Sequence, residues 1–370
     1  MSEMSETSEQ NKPVKRKRRL YFDILWVISI VVLIFTYSDG VQVYATLDPS
    51  TWQYSVALFL TLFVKFPLWL CLMISGAILL DMHEAIRTVW KKRISRLLLI
   101  LLVFSFLYYI NDVMKGRDTF DLTRFIPDLY ARDRVIQYWY LYASLGLMVC
   151  LPFMRPMVKN MRDVDFVYLI MAVFTLSSIL PLFDIYVLKD RYSLNPSTNL
   201  GWVTEVIFIY PVMGYFIHHR LSTQKCRKLC WILIPLDLAW MIYNTHIYKN
   251  SGVSMGSVYM YPEVHGPMTM MHCLTLFITA KAYFKRMEER KWELVIGSLG
   301  GCSFGIYLLF GFFLDGRVEL FEHFRQIVEG DSVGLARMGR AFLWCIITYF
   351  ACYIPVWLLR RIPGLRDMTL

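Results

Sequence analysis

Charge is scarce in this chain. Of its 370 residues 18% are charged and 56% hydrophobic, and the mean hydropathy is +0.44. A soluble core of that size cannot hide so much apolar surface, so a water-soluble globular fold is excluded. Long polar stretches are missing too: no segment between apolar runs exceeds about 25 residues, which leaves no room for a soluble catalytic domain. None of the eight cysteines forms a CxxC pair or stands beside a histidine at zinc spacing. Cys226 and Cys230 lie four apart without a second ligand pair, so neither a metal centre nor a disulfide scaffold is expected. An inverted internal repeat of the kind many transporters carry is not visible.

What remains is a succession of apolar runs near the ~20 residues that cross a bilayer. They cover about 20–43, 54–80, 97–114, 135–153, 166–188, 202–217, 229–248, 266–284, 294–314 and 341–359. The reading is an all-α, polytopic membrane bundle of about ten transmembrane helices, spanning 20–359. A basic tail, 1–19, ends "NKPVKRKRR" and has nothing to bury, and a short tail, 360–370, closes the chain. The first run is too long for a signal-peptide core and lacks a small-residue cleavage site, so it reads as an uncleaved anchor.

Of the 39 Lys and Arg, 25 fall in the alternate loops that contain both termini and 12 in the opposite set. Both termini are therefore expected in the cytoplasm of a multi-pass cell-membrane protein. The net charge of +10 follows from this topology and gives no argument for nucleic acid. Two longer outer segments, 115–134 and 315–337, carry apolar residues at helical spacing and are expected to lie flat on the outer face, against lipid.

Ionisable residues inside apolar runs are costly and mark packing pairs or polar cavities. Asp23 and Lys281 sit near cytoplasmic span ends and are expected to reach the interface. Lys65, Glu205 and Asp237 lie deeper, Lys65 just before Phe66 and Pro67, where a proline opens the backbone. They read either as one buried ion pair or as a substrate or proton site. His272, within a span, is either a hydrogen-bonded helix contact or a proton carrier.

Several stretches in order, "YFDILWVISIVVLIF", "LFVKFPLWLCLMISGAILL", "KKRISRLLLILLVFSFLYYI", "YWYLYASLGLMVCLPFMR" and "GCSFGIYLLFGFFLD", resemble the bacterial integral-membrane acyltransferases of family three. The resemblance covers nearly the whole chain. It implies transfer of an acetyl or other short acyl group from cytoplasmic acyl-CoA to a cell-surface glycan or exported molecule. The family signature in the first span is an Arg, ten residues, then a His; here Trp26 and Tyr37 stand at those positions. Two further positions where the family often has His carry Gln137 and Phe310, while Trp139 and Tyr140 are kept.

The resemblance makes acyl-CoA the expected co-substrate, with Lys92, Arg93 and Arg96 gripping its phosphates. At the end of the first span Asp39 is the candidate base with Tyr37 or Ser38 as its partner, the other reading of these residues being a plain helix terminus; Asp23, Trp26, Lys65, Trp139, Glu205 and Asp237 are the candidate cavity lining. Trp26 and Tyr37, eleven residues apart, project from nearly the same helix face about 16 Å from each other. That face is expected to look into the bundle. A catalytically silent relative that binds a lipid, glycan or partner, and a transporter coupled through Lys65, Glu205 and Asp237, are the other readings. Acceptor, acyl group and oligomeric state are not specified by the sequence.

Overall fold

The computed structural model of the chain describes residues 19–131, 134–179, 206–250, 267–284, 290–314, 319–330 and 333–361. Both tails lie almost wholly outside the described residues, as do Glu205 and the side chain of Asp39. Of the described chain 87% is helical and none is strand.

The first helix, α1 (Leu20–Thr36), is apolar except for Asp23 and ends where the Thr36 hydroxyl turns back onto the Val32 carbonyl at 2.8 Å. A 3₁₀ segment, Asp39–Thr46, leads to α2 (Trp52–Phe63), whose first turn is capped by Thr51 Oγ1 accepting from Tyr54 N. The chain breaks at 64–66 and resumes as α3 (Pro67–Leu79). Pro67 has no N–H, so the Phe63 carbonyl loses its helical donor and the helix cannot run on unbroken. A short α4 (Ile86–Thr88) passes through a π-helical turn, Val89–Ile94, into α5 (Ser95–Met114). Then come α6 (Leu122–Ala131), α7 (Trp139–Asn160) and α8 (Asp163–Phe174). Beyond them lie α9 (Val206–His219), α10 (Thr223–Asn250), α11 (Pro267–Phe284), α12 (Arg290–Leu314), α13 (Glu319–Glu329) and α14 (Gly334–Leu359).

Five helical stretches among the described residues are long and apolar enough to cross a membrane: Trp52–Leu79, Ile86–Met114, Ile136–Asn160, Trp292–Leu314 and Gly334–Leu359. Leu20–Thr36 is a shorter apolar helix. Sequence reading expected about ten spans; five are shown among the described residues, and α8 to α11 overlap the described parts of the other stretches. On α5, Leu98, Leu99, Leu102, Val103 and Phe106 are exposed, an outward apolar face that water would penalise and hydrocarbon would not.

The centre is α1, which packs on α3, α11, α12 and α14. Helices α3 and α9 cross with almost nothing between them, because each offers a glycine. A Cβ on Gly76 would lie 2.2 Å from the Pro211 backbone, and one on Gly214 would lie 1.9 Å from the Met73 carbonyl oxygen. Small residues drive this kind of contact where lipid removes the hydrophobic incentive.

Two expectations meet the structure differently. The longer outer segments do contain helices, and on α6 Leu122, Ile126 and Tyr130, spaced by four, all face outward, as a helix lying at the lipid interface requires. Lys281, expected near a span end, is enclosed by backbone carbonyls at the end of α9. It is 2% exposed, and its Nζ donates to the Ile217 and His218 carbonyls at 2.6 and 2.8 Å. A cation there answers the unpaired carbonyls and the negative dipole end of α9.

Candidate functional site

The π-helical turn carries the basic run. One extra residue per turn widens the helix there, and such turns recur at functional sites. From this turn Lys92 and Arg93, with Arg96 at the start of α5, line a cavity of about 230 Å³ that they share with Trp26 of α1. Ser75, Ile78 and Leu79 of α3, Tyr140 and Ser144 of α7, and Phe304 of α12 complete most of the lining. Two groups named from sequence for different reasons, the basic run and Trp26, thus share one cavity.

The three cations are not equivalent. Arg93 grips Glu84 with both arms, Nε and Nη2 donating at 2.8 and 2.7 Å. Arg155 of α7 reaches the same carboxylate at 3.1 Å and the Leu79 carbonyl at 3.1 Å. The guanidinium of Arg93 holds the Glu84 carboxyl below the usual carboxylate range. Arg93 therefore anchors the mouth, while Lys92 is exposed and Arg96 half-buried beside it. Apolar and hydroxyl walls under a cationic rim suit an elongated ligand with an anionic head.

Tyr37 ends α1, half-buried, with its ring 6.1 Å from that of Phe310. Gln137 is 4% exposed; its carbonyl accepts from Tyr307 at 2.7 Å. Gly311, next to Phe310, makes room for it: a Cβ there would lie 2.6 Å from Gln137 Nε2. The three positions where the resemblance expects imidazoles, 37, 137 and 310, therefore converge on one seam between α1, α7 and α12. The seam is aromatic. Tyr108 and Tyr138 both donate to the Leu308 carbonyl, at 3.2 and 3.0 Å, and Tyr140 packs on Tyr307 at 5.6 Å. No group in it titrates near neutrality unperturbed.

The remaining candidates scatter. Asp23, buried a turn below Trp26, packs against Gly300, where a Cβ would come within 2.6 Å of its own. Trp139 turns to Trp69, ring centres 4.6 Å apart, and its neighbour Tyr140 takes the cavity wall. Lys65 stands half-buried in the break between α2 and α3. Asp237 is paired with His272, whose Nδ1 lies 2.7 Å from Asp237 Oδ2. Sequence reading named both residues but did not join them, since 35 positions separate them on two helices. Glu84 and Arg155 were not singled out at all; a turn acid and a span-end arginine carry no local signal.

Compared with known proteins, the chain has no match among protein-family models, curated proteins or solved structures.

Proposed function

We propose that the chain is a membrane-bound O-acyltransferase-like protein. In this reading it has about ten spans and cytoplasmic termini, and it moves an acetyl or other short acyl group from acyl-CoA to a hydroxyl of a cell-surface glycan or exported molecule. The observation that carries the reading is the cavity in which the basic turn faces Trp26 and Tyr140. Lys92 and Arg96 hold the donor phosphates at the rim by charge-assisted hydrogen bonds. The apolar throat takes the thioester arm and keeps water from it. A positive rim on the cytoplasmic side also gathers an anionic donor from that side. A silent relative that only binds donor or lipid is the second reading, favoured by the aromatic seam at 37, 137 and 310.

The test is donor binding. CoA should raise the thermal midpoint of the purified protein, as any ligand of the folded state does. Replacing Lys92, Arg93 and Arg96 together by Gln should abolish that rise. Absence of a CoA-dependent shift in the parent would refute the donor site. Topology is checked separately: a cysteine introduced at Thr119 should be labelled from outside intact cells and one at Ser222 should not.

A further inference from the structure

The Asp237–His272 pair is more than a helix contact. Both residues are 4% exposed, and only one end of each is used. Nδ1 of His272 lies 2.7 Å from Oδ2 of Asp237, while His272 Nε2 and Asp237 Oδ1 have no hydrogen-bond partner among the described residues. With Asp237 as a carboxylate, which only accepts, the shared proton sits on Nδ1 and a neutral ring presents its lone pair at Nε2. A buried polar atom without a partner is costly, and two within one pair indicate that a further group is meant to meet them.

The surroundings explain what keeps the ring in place. Phe63 and Phe66, on either side of the α2–α3 break, set their rings edgewise against His272 at 4.6 and 5.2 Å. Cys273 beside it donates to the Phe66 carbonyl at 3.7 Å, and Thr36 of α1 donates to the Val64 carbonyl at 2.9 Å. The break thus joins the pair to the end of α1, next to Tyr37. It also lies along α3 from the cavity: Phe66 and Ser75 are nine residues apart, about 14 Å of helix. An extended phosphopantetheine arm covers that length.

Resting on the acyl-transfer reading, we infer that His272 is the general base for the acceptor hydroxyl and Asp237 its positioning residue, in place of the imidazole absent at Tyr37. Nε2 takes the hydroxyl proton while the oxygen attacks the acyl carbonyl carbon. The C–O bond forms, the C–S bond breaks, and the imidazolium returns the proton to the departing CoA thiolate. Nothing else is consumed. Asp237 keeps the tautomer and steadies the transient imidazolium.

The experiment follows free thiol released from acetyl-CoA by the purified full-length protein, with water or added methyl glucoside as the hydroxyl, alongside CoA binding by thermal shift. His272→Gln should cut thiol release about 10²-fold or more and leave the CoA shift unchanged. Asp237→Asn, which preserves shape, should lower kcat and leave the KM for acetyl-CoA unchanged. Release at the parent rate in His272→Gln overturns the inference. So does a parent that binds CoA but releases no thiol with either hydroxyl. A parent that shows no CoA shift overturns the donor reading itself, and this assignment with it.

Discussion

Two buried seams of this molecule are polar, and they are finished differently. Around α12 the hydroxyls of Tyr108, Tyr138 and Tyr307 each find a backbone carbonyl, and the ring of Phe310 fills the space before Tyr37. At the α2–α3 break the Asp237–His272 pair has satisfied only its inner atoms. Gln137 Nε2 is a leftover in the first seam, but an amide does not exchange protons near neutral pH. The contrast teaches that one polar seam can be closed internally while another is left half-satisfied. Where the resemblance expects imidazoles the chain packs aromatics, and its buried imidazole with a carboxylate partner lies elsewhere.

The comparison predicts unequal costs of mutation. Asp237→Ala leaves a buried ring N–H unpaired and should destabilise the protein by about 3 kcal/mol, read as a lower denaturant midpoint in detergent. Asp237→Asn, which still accepts from Nδ1, should lose much less. If the two variants unfolded alike, the pair would not differ from ordinary core packing.

A smaller effect belongs to the aromatic seam. Tyr307→Phe removes one neutral hydrogen bond to the Gln137 carbonyl and should cost about 1 kcal/mol by the same measurement. Thiol release from acetyl-CoA should change less than about threefold, because that hydroxyl takes no part in proton transfer. A loss comparable to that of His272→Gln would move the chemistry back to this seam.

The smallest effect is electrostatic and lies at the cavity mouth, outside both seams. Glu84 has a carboxyl held low by Arg93, so its contribution is whole above the unfolded-state value of about 4.3 and is lost as pH falls through the lower folded value. Thermal midpoints taken from about pH 6 down to about pH 3 should fall less steeply in Glu84→Gln than in the parent. Equal slopes would mean that the Glu84–Arg93 pair is too well solvated to matter.

How much of this could be read beforehand differs by kind of signal. Helices of this apolarity announce themselves through composition alone, and the outward stripe of α6 followed from its spacing. The basic run was visible as charge. What stayed hidden was the pairing of distant residues. Asp237 was a buried acid and His272 a buried imidazole, yet only the packing of α10 on α11 brings Nδ1 to Oδ2. The partners of Lys281 stayed hidden too, because its distance along the helix was visible and the carbonyls waiting at the end of α9 were not. The π-helical turn under Lys92 and Arg93 has no one-letter signature.

Everything proposed for the chemistry depends on an acyl-CoA arm entering between α1, α3 and the basic turn. Photolabelling with an acyl-CoA that carries a diazirine at the acyl end, followed by peptide mapping, tests this most directly. The account predicts adducts along the cavity wall, on Trp26, Tyr140 or Phe304, or farther along α3 toward Phe66. It predicts that they disappear with excess CoA and in the Lys92→Gln/Arg96→Gln variant. Labels confined to the exposed face of α5, unaffected by CoA, would contradict it.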